Sequence, residues 1–103
     1  MRHMIAIILA AISALAAGDV HAADAVNGKK LFMGVGCYSC HGTVGQGAAP
    51  TGPRLAPNTP PLDVFLKELR TPRNIMPPYA ANLLPDDAVA DIRAYLATIK
   101  PSA

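Results

Sequence analysis

The chain has 103 residues, a net charge of +2 at neutral pH, two cysteines and three histidines. This length allows one domain after a targeting segment, and no more. The basic residues form no stripe or cluster of the kind that binds nucleic acid, so we expect no nucleic-acid partner.

Residues 1–22 are typical of a cleaved secretory signal peptide. Arg2 and His3 give a short basic start, and an unbroken apolar run over residues 4–17 follows. This run is shorter than the roughly 20 residues that a membrane-spanning helix needs, so cleavage after Ala22 is favoured over a retained anchor. We expect a periplasmic domain over residues 23–103, without a membrane span of its own.

A first helix is predicted over residues 24–35, with Asp24 as its cap. Gly28 lies one turn before Phe32 on the same face of this helix. Since a glycine inside a helix costs about 1 kcal/mol relative to alanine, we expect another backbone to approach closely at Gly28. Two glycines then end the helix.

Residues 37–41, Cys-Tyr-Ser-Cys-His, match the pattern for covalent haem attachment. The thiols of Cys37 and Cys40 can add to the two vinyl groups of one haem, and His41 can ligate its iron. A structural zinc site is one alternative, but it needs four ligands, and only these three remain once the leader is removed. A thioredoxin-like dithiol is another, although no β-branched strand runs accompany the cysteines.

The rest of the chain alternates loops and helices. Residues 42–58 are rich in glycine and proline, which predicts a long loop able to wrap a flat ligand. A second helix is predicted with Thr59 as its cap and prolines in its first turn. A last helix is predicted to begin around Pro85, with Leu84 as a weak cap, and to stop at Pro101. The apolar stripe of the second helix consists of Leu62, Phe65, Leu66 and Leu69.

Met76 is the candidate for a second iron ligand opposite His41. It lies in a loop stiffened by Pro77 and Pro78, which lowers the entropy lost when the loop is ordered. Met33 precedes the haem motif by four residues and lies on the side of the haem occupied by the motif itself. We therefore interpret Met33 as core filler.

A thioether is a soft ligand that favours ferrous iron, and histidine–methionine ligation raises the reduction potential. An iron with both axial positions filled has no open site for a substrate, so the expected function is one-electron transfer rather than enzyme catalysis. A ligand-binding or sensing haem protein, in which Met76 is released, is the first alternative. A thiol–disulfide oxidoreductase is the second.

The chain resembles the class I bacterial cytochromes c over essentially all of residues 23–103. That family has a small all-α fold, with three or four helices around one covalently bound haem and with crossing N- and C-terminal helices. The resemblance rests on Gly28 and Phe32, the segment 36–42, residues 51–55, Met76-Pro77-Pro78-Tyr79 and residues 91–96.

The resemblance implies further site residues. Gly28 and Phe32 are expected to cross Ile92 and Tyr95 of the last helix. The carbonyl of Pro53, twelve residues after His41, is expected to accept a hydrogen bond from the ring nitrogen of His41 that does not bind iron. Arg54, Arg73 and Tyr79 are candidates for contacts with the haem edge or its propionates.

The resemblance also suggests redox partners, namely a dehydrogenase, another cytochrome or a terminal oxidase. The protein is expected to act as a free carrier or as the small haem subunit of a dehydrogenase complex. The chain has no tryptophan, so the family's network of contacts to the haem propionates cannot be transferred to it. It also has no dense ring of lysines, so we expect docking through apolar contact near the haem edge. The candidate docking residues are Val44, Ala48, Pro50 and Pro77.

Overall fold

The computed structural model describes residues 22–101, so the predicted leader lies outside the described residues except for Ala22. Within this range the chain forms four helices and no named strand, and its one β feature is an isolated bridge between Ala48 and Gly52. The predicted all-α fold is confirmed. The helices are α1 (Ala25–Gly34), α2 (Tyr38–His41), α3 (Leu62–Arg70) and α4 (Asp86–Thr98).

The first helix begins and ends as predicted to within a residue. The Asp24 side chain accepts hydrogen bonds from the backbone N–H groups of Val26 and Asn27, at 3.0 and 3.1 Å, which satisfies two donors that have no partner inside the helix. The chain leaves the helix after Gly34 and passes through Gly36, whose φ of 89° is favourable for glycine.

The start of α3 differs from the prediction. Thr59 is not its cap, and the prolines lie before the helix rather than in its first turn, because α3 begins at Leu62 after an extended Pro61. Thr59 and Pro60 each precede a proline, and the proline ring disfavours helical backbone in the residue before it. Of the predicted apolar stripe, Phe65 and Leu69 are buried, Leu66 is partly buried and Leu62 is exposed.

The N-cap of the last helix lies one residue later than predicted. Pro85, not Leu84, is the N-cap, and the acidic residues Asp86 and Asp87 occupy the first turn, where the helix dipole favours them. Leu84 is 1% exposed and belongs to the core. The helix ends at Thr98, before Pro101 is reached.

α1 and α4 cross in direct backbone contact at Gly28, as the glycine predicted. A Cβ atom at this position would overlap the backbone carbonyl of Asp91. One turn further along α1, the ring of Phe32 packs against that of Tyr95, with centroids 5.6 Å apart and a tilt of 58°. The core around this crossing consists of Phe32, Ala56, Phe65, Leu69, Leu84, Val89, Ile92, Tyr95 and Leu96.

The crossing also carries a buried carboxylate that the sequence did not reveal. Asp91 is 3% exposed. Its two oxygens accept hydrogen bonds from the backbone N–H of Asp24 at 2.7 Å and from the side-chain amide of Asn27 at 2.8 Å. These bonds fix the start of α1 on the middle of α4, so the angle of the crossing is set by polar contacts as well as by packing.

No helix in the described part of the chain combines the length and the hydropathy that crossing a membrane requires.

We predict that Gly28→Ala destabilises the protein by about 1–3 kcal/mol, because the new methyl group meets backbone that cannot move aside. Gly34→Ala is the matched control in the same helix, since nothing lies within 4 Å of its Cβ position. We expect that control to change stability by less than about 1 kcal/mol. Urea unfolding followed by circular dichroism measures both, and equal effects of the two variants would contradict the close approach at Gly28.

Candidate haem-binding site

The cysteines and the histidine of residues 37–41 lie on one side of a single helical turn. Cys37 has helical backbone and precedes α2, and the N–H of His41 donates to the carbonyl of Cys37 at 3.1 Å. Residues three and four apart in a helix share a face, so Cys40 and His41 lie over Cys37. The turn therefore presents two sulfur atoms and one imidazole in the same direction.

The ring of His41 is held by one hydrogen bond at one nitrogen. His41 is 9% exposed, and its Nδ1 lies 2.8 Å from the carbonyl oxygen of Pro53. Since a carbonyl only accepts, Nδ1 carries the proton and Nε2 keeps its lone pair. Such a bond fixes the ring and raises the basicity of the other nitrogen, which is the state that an iron ligand requires.

The loop over residues 42–58 is ordered around His41 by backbone contacts. The N–H of Gly47 donates to the carbonyl of His41 at 2.7 Å, and the hydroxyl of Thr51 donates to that of Cys40 at 3.2 Å. At Gly52 a Cβ atom would lie 2.5 Å from the carbonyl oxygen of Cys40 and 3.0 Å from His41 Nδ1. Glycine at this position therefore allows the loop to bring Pro53 against the imidazole.

The cysteines do not have the character of a redox dithiol. Burial raises the pKa of the Cys37 thiol to about 11, against a smaller opposing effect of a hydrogen bond from its own backbone. An attacking thiol in a Cys-x-x-Cys enzyme has a lowered pKa, so that thiolate forms near neutral pH. In the described residues Cys37 caps the short helix α2 and Cys40 lies within it, and α1 rather than a strand precedes this helix. These observations disfavour the thiol–disulfide oxidoreductase.

The zinc alternative finds no support either. Over residues 22–101, no group of three or more His, Cys, Asp or Glu side chains comes together with a geometry that could hold a metal ion. A structural zinc site needs four such ligands.

The loop that carries Met76 is anchored at its far end by Tyr79. The backbone N–H of Tyr79 donates to the carbonyl of Leu69 at 2.8 Å, and Arg70 donates to the carbonyl of Tyr79 at 3.0 Å. Arg70 also pairs with Asp86 at 2.6 Å, which links α3 to the start of α4. Met76 itself is partly buried and packs against the core.

Tyr79 makes a further contact that the sequence did not predict. Its hydroxyl donates to the carbonyl of Val35 at 2.8 Å, two residues before Cys37. Burial, with smaller contributions from Cys37 and Cys40, raises the pKa of the Tyr79 hydroxyl, so it stays protonated and able to donate at neutral pH.

The two arginine candidates lie on the surface. The side chain of Arg73 is 83% exposed and pairs with Glu68, with Nε 2.9 Å from Oε2. Arg54 is also exposed, and its contacts with the haem edge or propionates stay a prediction, as do those of Arg73. Arg54 lines a small cavity together with Val44, Gln46, Ala56, Ile99 and Lys100.

The interpretation of Met33 as core filler is wrong. Met33 is 38% exposed, because its position is about 100° around α1 from Phe32, the residue that faces α4. Sequence reasoning also missed the hydroxyl of Tyr95, which donates to the carbonyl of Thr43 at 3.1 Å. A buried tyrosine hydroxyl requires a partner, but the sequence alone does not show which carbonyl supplies it.

Comparison with known proteins identifies the family. Residues 23–96 match the family described as "Cytochrome C oxidase, cbb3-type, subunit III". The chain belongs to this cytochrome c family. It is also 31% identical over 93 residues to cytochrome c-555 of Methylococcus capsulatus (strain ATCC 33009 / NCIMB 11132 / Bath), an alignment that covers 88% of this chain and 75% of the relative. No solved structure matches the chain.

These findings confirm the predicted family, a class I cytochrome c with a single haem domain, and they indicate an electron-transfer protein with haem c. The donor set fits that cofactor. Cys37 and Cys40 would offer two thiols, His41 would offer Nε2, and Met76 is a partly buried thioether in another loop.

We predict that Gly52→Ala disturbs the hydrogen bond between His41 and Pro53, because the new methyl group occupies space next to Cys40 and His41. In the ferrous protein, the proton on His41 Nδ1 is expected to shift upfield in the NMR spectrum and to exchange faster with solvent. Pro53→Ala retains the backbone carbonyl and serves as the control. An unchanged Nδ1 proton in Gly52→Ala would show that this glycine does not position the acceptor.

Proposed function

We propose that the protein is an exported one-electron carrier with one haem c, attached covalently through Cys37 and Cys40, with His41 and Met76 as the axial ligands. The observation that carries the proposal is the hydrogen bond of 2.8 Å between His41 Nδ1 and the carbonyl of Pro53. It leaves Nε2 as the ligating nitrogen and holds the ring in one orientation.

Haem c, when bound, supplies an iron that takes up and releases one electron. The residues of this chain would determine how easily the iron takes up and releases that electron. His41, made more basic by Pro53, donates charge from one side, and the soft thioether of Met76 favours the ferrous state from the other. A loop anchored to α3 through Tyr79 supports a permanently held methionine, which favours electron transfer over binding of a small ligand.

We further propose that residues 1–22 are a signal peptide and that the mature domain of residues 23–103 acts in the periplasm. The family match begins at residue 23, next to the cleavage site that the sequence favours. Export also suits the chemistry, because two cysteines joined to haem cannot oxidise to a disulfide in that compartment.

For partners we propose redox proteins, either a dehydrogenase that donates electrons or a cytochrome or terminal oxidase that accepts them. The family description names an oxidase subunit, which supports the acceptor side. Docking is proposed through apolar surface near the haem motif, where Val44 is 41% exposed. Ala48, Pro50 and Pro77 are exposed as well, and Arg54, Arg73 and Tyr79 are proposed to contact the haem edge or its propionates.

Met76→Ala tests the axial ligand. Loss of the thioether removes the preference for ferrous iron, so we expect the midpoint potential to fall by about 0.2 V, within the range of about 0.8 V over which axial ligands set haem potentials. The open position is also expected to bind carbon monoxide in the ferrous protein. Met33→Ala, at an exposed position on α1, is the control. An unchanged potential in Met76→Ala would sink the proposed ligation.

Intact-mass measurement of protein purified from a host with haem-maturation machinery tests export and attachment together. We expect the mass of residues 23–103 plus one haem, with the haem retained on a denaturing gel. Cys37→Ala with Cys40→Ala should remove the haem from the gel band. A colourless protein would contradict the attachment, and a mass that includes residues 1–22 would contradict cleavage.

A further inference from the structure

Two tyrosine hydroxyls hold the backbone on either side of the haem motif. Tyr79 donates to the carbonyl of Val35, two residues before Cys37, at 2.8 Å. Tyr95 donates to the carbonyl of Thr43, two residues after His41, at 3.1 Å. Both bonds are partly buried, and in each a main-chain carbonyl accepts from a tyrosine hydroxyl. The two bonds are therefore of the same chemical kind.

The two tyrosines differ in the part of the fold to which they belong. Tyr95 lies in α4, and its ring packs on Phe32 in the helix crossing. Tyr79 lies three residues after Met76, at the end of the methionine loop. Pro77 and Pro78, which separate them, each have a fixed φ, so the backbone between Met76 and Tyr79 has less freedom to absorb a displacement of Met76.

The backbone bonds of Tyr79 hold the loop on α3 through Leu69 and Arg70. These bonds act on α3 and make no contact of their own with residues 37–41. The hydroxyl bond to Val35 links the loop directly to that part of the chain, because Val35 is the C-cap of α1 and lies two residues before Cys37.

We propose that Tyr79 is a positioning residue for the Met76 ligand. Its bond to Val35 fixes the spacing between the loop that carries Met76 and the segment that carries His41. A movement of the Met76 loop away from residues 37–41 would have to break or stretch this bond, so the bond would raise the free energy of displacing Met76 by an external ligand. The inference rests on the proposed ligation by His41 and Met76.

The test is the apparent affinity of imidazole for the ferric holoprotein, measured by titration in Tyr79→Phe and Tyr95→Phe. Each variant keeps its ring and loses one hydrogen bond. We expect the affinity to rise about fivefold in Tyr79→Phe and by less than about twofold in Tyr95→Phe, since a typical hydrogen bond contributes a net ~1 kcal/mol. Tyr38→Phe, at a position 42% exposed and without a hydroxyl bond in the described residues, should match the wild type.

Urea unfolding of the same variants separates positioning from general stability. Tyr79→Phe and Tyr95→Phe are expected to lower the unfolding midpoint by similar amounts, while only Tyr79→Phe changes imidazole affinity. Equal changes in affinity, or none in Tyr79→Phe, would overturn the proposal while leaving the ligation intact. If the wild-type ferric protein lacked the far-red absorption band of iron–sulfur ligation, the ligation and the role of Tyr79 would both fail.

Discussion

The close crossing of α1 and α4 at Gly28 is the contact on which the placement of the candidate haem site depends. Without a side chain at Gly28, the two backbones meet, and the ring of Phe32 can then reach Tyr95. The haem motif follows α1 after only a short turn, so the crossing determines where Cys37 begins. The buried carboxylate of Asp91 strengthens this arrangement by holding the start of α1 through Asp24 and Asn27.

The two proposed axial ligands lie in segments that are positioned by different contacts. His41 lies one helical turn after Cys37 and is oriented by the carbonyl of Pro53, which the glycine-rich loop brings back to it. Met76 is reached through α3 and a loop held at Tyr79. Each segment is thus held by a contact that closes a loop, His41 with Pro53 and the methionine loop with Leu69.

Much of the fold and of the candidate site follows from local sequence signals. Asp24 predicted the start of α1, and Gly28 predicted the crossing. The spacing of residues 37–41 predicted a haem-attachment motif. These features depend on residues that are close in sequence, or on a glycine at a position where another backbone leaves no room for a side chain. The bond from His41 to Pro53 came from resemblance to a family, because a contact across a loop has no local signal.

The predictions that were wrong failed for physical reasons. Threonine is a common N-cap residue, but two consecutive prolines follow Thr59. Each disfavours helical backbone in the residue before it, so α3 begins only at Leu62. Leu84 belongs to the core and leaves the capping position to Pro85. Met33 is apolar but faces outward, since the orientation of α1 is decided by Gly28 and Phe32. The hydroxyl bonds of Tyr79 and Tyr95 join residues far apart in sequence, so only the folded chain shows them.

The central claim, that iron is held between His41 and Met76, is tested most directly by proton NMR of the ferrous wild-type protein. The ring current of a haem shifts the methyl group of an axial methionine strongly upfield, away from all other methyl signals. If Met76 binds the iron, the spectrum contains one such three-proton signal, assigned to Met76 through its connections to Pro77. Its absence, or its assignment to Met33, would contradict the account.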